Sequence, residues 1–376
     1  MQPEWPLILF TFFLCLSGGI LAAQGFLTFQ GKGKKMQMLS LVASLVALVI
    51  GGLAVFTHLQ HWERIFNAFT ALLAGNGFGV SGITLELWGC VLCGITIVLY
   101  FLFMRRSEDG IAPKWCAVLA IVVGIALPAV TGDSYLMPAL PAWNTPLLIV
   151  YYILNTVFMG SLTSLVIARV TGADDAYEAL SKVALVGGVL QLVAIVVYAI
   201  FISCLGGTYS ADIDYYFDPT LPDVAMVNRA GVASSILIGS NAPLFWIGAV
   251  IVGVGLPLLL LDLSKNSEHA AKFAFMKKIP GVGKLCSSEK GAKDGEAAGG
   301  EPAKTGEPAK AEESAKDDAT AKKGGKIASF FGLIKLEGPA KVLRNYEAWA
   351  LVCVVLGGFA WRVVLYLVAL HAFALY

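Results

Sequence analysis

The chain has 376 residues, of which 57% are hydrophobic and 14% charged, and its formal net charge is +1. Its mean hydropathy is +0.74. This composition excludes a water-soluble globular protein and is typical of a protein embedded in a membrane. The first apolar run lacks a basic leader and is too long for a cleavable signal peptide, so we expect it to remain as a transmembrane helix.

Eight apolar segments follow one another along the chain, each close to the roughly 20 residues that an α-helix needs to cross the hydrocarbon layer. The expected helices cover residues 7–29, 36–58, 84–104, 115–132, 145–170, 180–206, 242–263 and 348–373. The sequence therefore predicts an all-α, polytopic membrane protein that forms an eight-transmembrane-helix bundle.

The basic residues predict how this bundle is oriented in the membrane. All but three of the 27 lysine and arginine residues lie on the first, third, fifth and seventh connections or at the segment ends that border them. Lys and Arg are retained on the cytoplasmic side of a membrane, so the odd-numbered connections should face the cytoplasm. Both termini are then expected on the outer, extracytoplasmic side. The exceptions are Arg64, Arg229 and Arg362, and the last of these lies inside the eighth segment.

The seventh connection divides the chain into three expected parts. Residues 1–263 hold the first seven helices, residues 264–346 form a cytoplasmic connection, and residues 347–376 form the eighth helix. Within the connection, residues 291–326 contain no aromatic residue and no Val, Ile, Leu or Met. Such a segment cannot bury enough apolar surface to fold, so we expect it to be disordered. It serves either as a plain insertion or, through its aromatic and basic flanks, as a tether to the inner membrane surface.

Ionisable side chains inside apolar segments are costly, and they mark candidate functional sites. Glu86 lies near the outer end of the third segment, and His58 ends the second segment on the same side. An imidazole and a carboxylate at adjacent helix ends could accept the two protons of a quinol. The alternative is that both residues only cap or pair at the membrane interface. His61 lies one turn from His58, where it either shares this face or is a solvent-exposed loop residue.

Arg362 is the one charge in the middle of an apolar segment, and it requires compensation there. The sequence does not name its partner, which could be backbone carbonyls, a carboxylate or a quinone.

The sequence favours neither haem nor a metal site. Three of the four histidines lie at the outer ends of segments, and His269 lies in the seventh connection. One axial pair from His58 or His61 with His371 is conceivable, but no second pair exists to carry electrons across the bilayer. Cys90 and Cys93 have CxxC spacing without a second pair, so no metal is expected. There is also no phosphate-binding glycine loop and no basic stripe for nucleic acid.

Several short segments of the chain are similar to those of a known family. They are residues 4–11, 58–59 with 64–67, 143–146 with 159–162, and 362–366. Together they resemble the membrane anchor of anaerobic dimethyl sulfoxide reductase. The number of helices and the outward termini agree with that family. The chain departs from it at Gln60, His61 and Trp62, which replace small residues and a proline, and in its longer seventh connection.

The resemblance implies an anchor in the bacterial plasma (inner) membrane that oxidises menaquinol in anaerobic respiration and carries no haem. It implies two soluble partners, a four-cluster iron–sulfur subunit and a molybdopterin catalytic subunit. The functional histidine and glutamate of the family correspond to His58 and Glu86. Arg64, Asn67, Arg362 and His61 are weaker candidates for quinol binding.

Two other classes of function remain open from the sequence. A secondary transporter would have inverted repeats and broken helices with polar residues at the bilayer midplane. No such repeat is evident, and Arg362 is the only mid-segment charge. A purely structural anchor would take no part in electron transfer, and His58 and Glu86 would then be incidental.

Overall fold

The computed structural model describes residues 3–58, 61, 82–205, 229–265 and 346–369, and every regular element within these ranges is helical. In chain order the helices are α1 (Trp5–Phe29), α2 (Gln37–His58), α3 (Gly82–Arg106), α4 (Lys114–Asp133), α5 (Leu147–Thr171), α6 (Asp174–Ser203), α7 (Arg229–Ile238), α8 (π-helical Leu244–Gly255 continued by α-helical Leu256–Lys265) and α9 (Tyr346–Val368). A short 3-10 helix, Lys34–Met36, leads into α2.

Eight helices in these ranges, all except α7, are long and apolar enough to cross a membrane. This confirms the predicted all-α architecture with eight candidate transmembrane helices. The orientation of the termini stays a prediction. The chain divides into a unit of residues 1–265 with 336–376 and a second unit of residues 266–335, which lies outside the described ranges. The predicted disorder of residues 291–326 also falls outside them.

Two helices differ from their predicted form. Helix α6 begins at Asp174 rather than at residue 180, because Asp174 and Asp175 occupy its first turn, where carboxylates are favourable. The Gly33 N–H donates to Asp175 Oδ2 over 2.7 Å, which fixes this polar turn against the α1–α2 connection. Helix α8 has π-helical hydrogen bonding over its first half. Hydropathy does not reveal that change, because it does not report hydrogen-bond register.

The eight candidate transmembrane helices run in alternating directions, so the bundle has two ends. We call the one that contains Trp5, His58, Gly82 and Asp133 the Glu86 end, and the opposite one the Glu347 end. Glu347 is buried in the first turn of α9 and accepts a hydrogen bond of 2.7 Å from the Tyr177 hydroxyl. Arg169 Nη2 lies 3.3 Å from the same carboxylate oxygen. These contacts attach α9 to α5 and α6 after the long seventh connection.

Helix α1 lies at the centre of the bundle, where it packs against α2, α4 and α5. A Cβ atom added at Gly19 would overlap the backbone of Thr156 and Gly160, and one at Gly160 would overlap Gly19. Small residues let membrane helices approach to backbone contact, which increases dispersion attraction where no hydrophobic effect drives association. Gly253 in α8 and Gly357 in α9 meet in the same way.

Candidate functional site

Glu86 lies in the second turn of α3, and its side chain is buried with only 5% of the residue exposed. The Ser134 hydroxyl, just beyond α4, donates to Glu86 Oε1 over 3.0 Å and can alternatively donate to the Thr131 carbonyl over 2.8 Å. Helices α3 and α4 meet closely here, since a Cβ at Gly82 would lie 2.8 Å from Ser134 Cβ. The fold therefore holds a carboxylate below the surface of the Glu86 end.

His58 is the last residue of α2, and its imidazole lies beside the Glu4 carboxylate. Its Nε2 lies 3.5 Å from Glu4 Oε2, and the two side chains are 38% and 44% exposed. His61 is an exposed turn residue. Arg64 and Asn67, the other residues predicted from this segment, lie outside the described ranges.

Arg362 is 1% exposed and lies between α1, α5 and α9. Among the described residues, its hydrogen bonds all go to neutral oxygens. Nε donates to Thr11 Oγ1 over 3.1 Å, Nη1 to the Gly358 carbonyl over 2.9 Å, and Nη2 to the Thr11 carbonyl over 3.3 Å and to Asn155 Oδ1 over 3.5 Å. The guanidinium carbon also lies 5.2 Å from the centre of the Phe12 ring and 5.5 Å from that of Tyr152. Backbone carbonyls and neutral side chains thus compensate this buried cation.

The rise of an α-helix places these groups at different depths below the Glu86 end. At about 1.5 Å per residue, Glu86 lies roughly 6 Å along α3 from Gly82, and Arg362 roughly 9 Å along α9 from Val368. His58 is at the end of its helix. Measured along the helix axes, Glu86 and Arg362 are therefore both buried within about two turns of the end, whereas His58 is at the surface.

Two buried phenols connect the surroundings of Glu86 and Arg362. Tyr135, in the connection after α4, interacts electrostatically with both Glu86 and Arg362. Its ring stacks on that of Tyr152 at 5.5 Å between centroids. Burial, and then the nearby Tyr152, raises the pKa of the Tyr135 phenol well above its ordinary value, so this hydroxyl stays protonated. Cys15 on α1 also interacts with both charged groups.

The local sequence does not mark Tyr135, Tyr152 or Cys15 as residues of a functional site. Tyr135 lies in a connection, and Tyr152 is close to the outer end of a segment, where aromatic residues commonly form an interface belt. Their proximity to Arg362 results from the packing of four helices and has no signature in local spacing.

Further buried polar side chains on α5, α6 and α9 are not saturated with hydrogen bonds within the described part of the chain. They are Tyr152, Thr156, Gln191 and Trp361. Tyr151 links them, because its ring stacks on Trp361 at 4.3 Å and its hydroxyl interacts with Gln191. Buried polar atoms usually have a partner, so these atoms suit a water molecule or a ligand oxygen.

The described ranges contain no group of three or more His, Cys, Asp and Glu side chains that could hold a metal ion. The chemistry that this region offers is instead proton transfer and hydrogen bonding. It combines one buried carboxylate, one buried guanidinium and several phenols.

Comparison with protein families gives a match to the model of the DMSO reductase anchor subunit (DmsC) over residues 1–268. This range includes α1 to α8, together with Glu86, His58 and Tyr135, whereas α9 and Arg362 lie beyond it. Comparison with curated proteins and with solved structures found no significant match. The family match covers more than half of the chain and agrees with the resemblance noted in its sequence. The chain belongs to the DMSO reductase anchor subunit family.

Proposed function

We propose that the chain is the quinol-oxidising membrane anchor of a dimethyl sulfoxide reductase-type complex. It binds menaquinol inside the bundle near the Glu86 end and passes the electrons to a four-cluster iron–sulfur subunit. That subunit transfers them to a molybdopterin catalytic subunit in anaerobic respiration. Membership of the anchor family supports the association with a reductase, and the buried polar region supports the chemistry.

The observation that carries this proposal is the burial of Glu86. An ionisable side chain in a membrane helix is costly, and such residues usually serve the transport of protons, ions or electrons. Within the described residues, its hydrogen bonds come from the neutral hydroxyls of Ser134 and Thr131. A carboxylate in such a place is suited to accept a proton from a quinol hydroxyl.

The second quinol oxygen has two candidate partners in this proposal. His58, with His61, Arg64 and Asn67 as further candidates, would bind it at the surface of the Glu86 end. Arg362 would bind it from inside the bundle, where its charge would favour loss of the quinol proton. The phenol rings of Tyr135 and Tyr152 stack on each other, and that of Tyr152 lies 5.5 Å from the Arg362 guanidinium carbon, so both would bound the headgroup.

The proposed orientation places the Glu86 end on the outer face of the bacterial plasma (inner) membrane. Protons from the quinol would leave on that face, and the iron–sulfur subunit would dock over the connections at the same end. The basic seventh connection would face the cytoplasm, as the distribution of Lys and Arg favours.

Glu86→Gln and His58→Arg in the assembled complex test this function. A general base typically contributes between about 10² and 10⁴ in rate, so we expect Glu86→Gln to lower quinol-dependent turnover by about 10²-fold or more. We also expect His58→Arg to abolish most of it. Turnover with an artificial soluble electron donor should remain normal, because that donor bypasses the anchor.

The matched control is Glu178→Gln, which changes an exposed carboxylate at the Glu347 end that is paired with Lys182 over 2.6 Å. It should leave both activities unchanged. Full quinol-dependent turnover in both Glu86→Gln and His58→Arg would instead identify the chain as a purely structural anchor.

A further inference from the structure

The connection between α4 and α5 is folded into the Glu86 end of the bundle. Four of its side chains are buried, those of Tyr135, Leu140, Ala142 and Trp143. The Trp143 N–H donates to the Leu140 carbonyl over 2.9 Å and closes a backbone turn. From α6, the Tyr198 hydroxyl donates to the Ala142 carbonyl over 3.0 Å. The connection is therefore attached to the helices at a defined place, and Trp143 lies inside it.

The indole of Trp143 is bonded to the last turn of α9. Trp143 is 5% exposed, whereas tryptophan near a membrane surface commonly lies in the aromatic belt at the lipid headgroups. Its Nε1 donates to the Leu365 carbonyl over 2.8 Å. The last four carbonyls of an α-helix have no regular intrahelical partner, and α9 ends at Val368, so Leu365 supplies one of them. Leu365 lies three residues after Arg362, so this bond holds the helical turn that carries the guanidinium.

A second series of contacts joins Trp143 to Arg362 through aromatic rings. The indole lies edge-on to the Tyr135 ring at 4.8 Å and to the Tyr366 ring at 5.7 Å between centroids. The Tyr135 ring stacks on that of Tyr152 at 5.5 Å. The Tyr152 ring in turn lies 5.5 Å from the Arg362 guanidinium carbon. One indole therefore holds both sides of the Arg362 region, α9 by a hydrogen bond and Tyr152 through Tyr135.

We propose that Trp143 is a positioning residue of the quinol site, which sets the place of the Arg362 guanidinium relative to the Tyr152 ring. This inference rests on the proposed quinol oxidation at the Glu86 end. Trp143 acts through these two residues and does not itself contact the quinol. A donor binds a quinol oxygen well only within a narrow range of distance and angle, so a small displacement of α9 weakens binding of the headgroup.

The chain offers a matched pair of variants for this inference. Trp143→Phe keeps an aromatic ring in the connection and removes the indole N–H that binds the Leu365 carbonyl. Trp246→Phe removes the same kind of bond elsewhere, because Trp246 Nε1 donates to the Leu237 carbonyl over 2.8 Å. That bond joins α7 and α8, and the Trp246 residue is 41% exposed. The pair therefore separates loss of an indole bond as such from loss of the one beside Arg362.

The experiment measures KM and kcat of the whole complex for a reduced menaquinone analogue, with kcat normalised to turnover with an artificial soluble donor. We expect Trp143→Phe to raise KM about fivefold and to keep kcat within about twofold, because one buried hydrogen bond that positions the site is lost. Trp246→Phe should leave KM unchanged. Arg362→Lys, which lacks the fork of guanidinium N–H groups, should also raise KM. Adding Trp143→Phe to Arg362→Lys should then raise KM no further, because the positioned group is already gone.

The possible results separate the positioning role from the proposed function. If Glu86→Gln abolishes quinol turnover while Trp143→Phe keeps the wild-type KM, the positioning role is overturned and quinol oxidation stands. A lower kcat of Trp143→Phe at unchanged KM also overturns it, because that result indicates fewer active complexes. An equal rise of KM in Trp246→Phe, or independent effects of Trp143→Phe and Arg362→Lys, would do the same. Full quinol turnover in both Glu86→Gln and His58→Arg would remove the proposed function and this inference with it.

Discussion

At the scale of single residues, an ionisable side chain in an apolar segment is unfavourable unless polar groups surround it, so its position indicates where polar contacts are made. That cost identifies Glu86 and Arg362 from the sequence alone, and both are buried in the bundle. It does not identify the partners. Thr11 and Asn155 are ordinary polar residues in α1 and α5, and they become ligands of the guanidinium only when three helices pack together.

The Arg362 contacts predict the effect of Thr11→Val. This change keeps the shape of the side chain but removes the oxygen that accepts from Arg362 Nε, and so leaves a charged donor unpaired in the interior. We expect a loss of about 1–3 kcal/mol in the free energy of unfolding, measured as a lower midpoint of thermal unfolding in detergent. The control is Thr163→Val, because the Thr163 hydroxyl, among the described residues, donates to the Met159 carbonyl of its own helix. Equal midpoints for the two variants would contradict this account of Arg362.

At the scale of helices, hydropathy predicts which segments cross the membrane but not how closely they approach. The apolar runs give all eight candidate spans, because the hydrocarbon thickness sets their length. The central position of α1 depends on glycines that face neighbouring helices. The sequence does not tell which glycines of a membrane helix lie in such a contact. Gly19 contacts the backbone of α5, whereas a Cβ at Gly52 would meet no atom of the described residues within 4 Å.

This difference gives a matched pair of variants. Gly19→Ala should force α1 and α5 apart, because its Cβ would overlap the Thr156 carbonyl oxygen and the Gly160 backbone. We expect overpacking to cost about 1–3 kcal/mol and to lower the thermal midpoint and the yield of folded protein. Gly52→Ala, on the surface of α2, should leave both measurements unchanged. A Gly19→Ala protein as stable as Gly52→Ala would show that the α1–α5 contact is looser than described.

At the scale of the whole molecule, the distribution of Lys and Arg predicts that the Glu347 end faces the cytoplasm. The arrangement of the helices agrees with two distinct ends, since Arg105, Arg106, Lys114 and Lys182 all belong to the same one. The packing of the helices does not determine which end faces outward, because orientation depends on how the charged connections insert into the membrane.

A thiol label tests this orientation. In a Cys204→Ser background, which removes an exposed native cysteine, Lys34→Cys places a thiol at an exposed position in the connection between α1 and α2. A membrane-impermeant maleimide should leave this position unlabelled in intact cells and should label it after permeabilisation, as read by mass spectrometry of the peptide. Labelling in intact cells would reverse the proposed topology and place the Glu86 end in the cytoplasm.

The central claim is that menaquinol is oxidised beside Glu86 at the Glu86 end of the bundle, and a photoreactive quinone tests it most directly. We expect an azido-substituted menaquinone analogue, bound to the intact complex and illuminated, to attach to peptides from the Glu86 ends of α3 and α9. Excess unlabelled menaquinone should prevent this attachment, and Glu86→Gln should weaken it. Specific attachment only to peptides of the Glu347 end, such as the residues around Arg169 and Tyr177, would contradict the account.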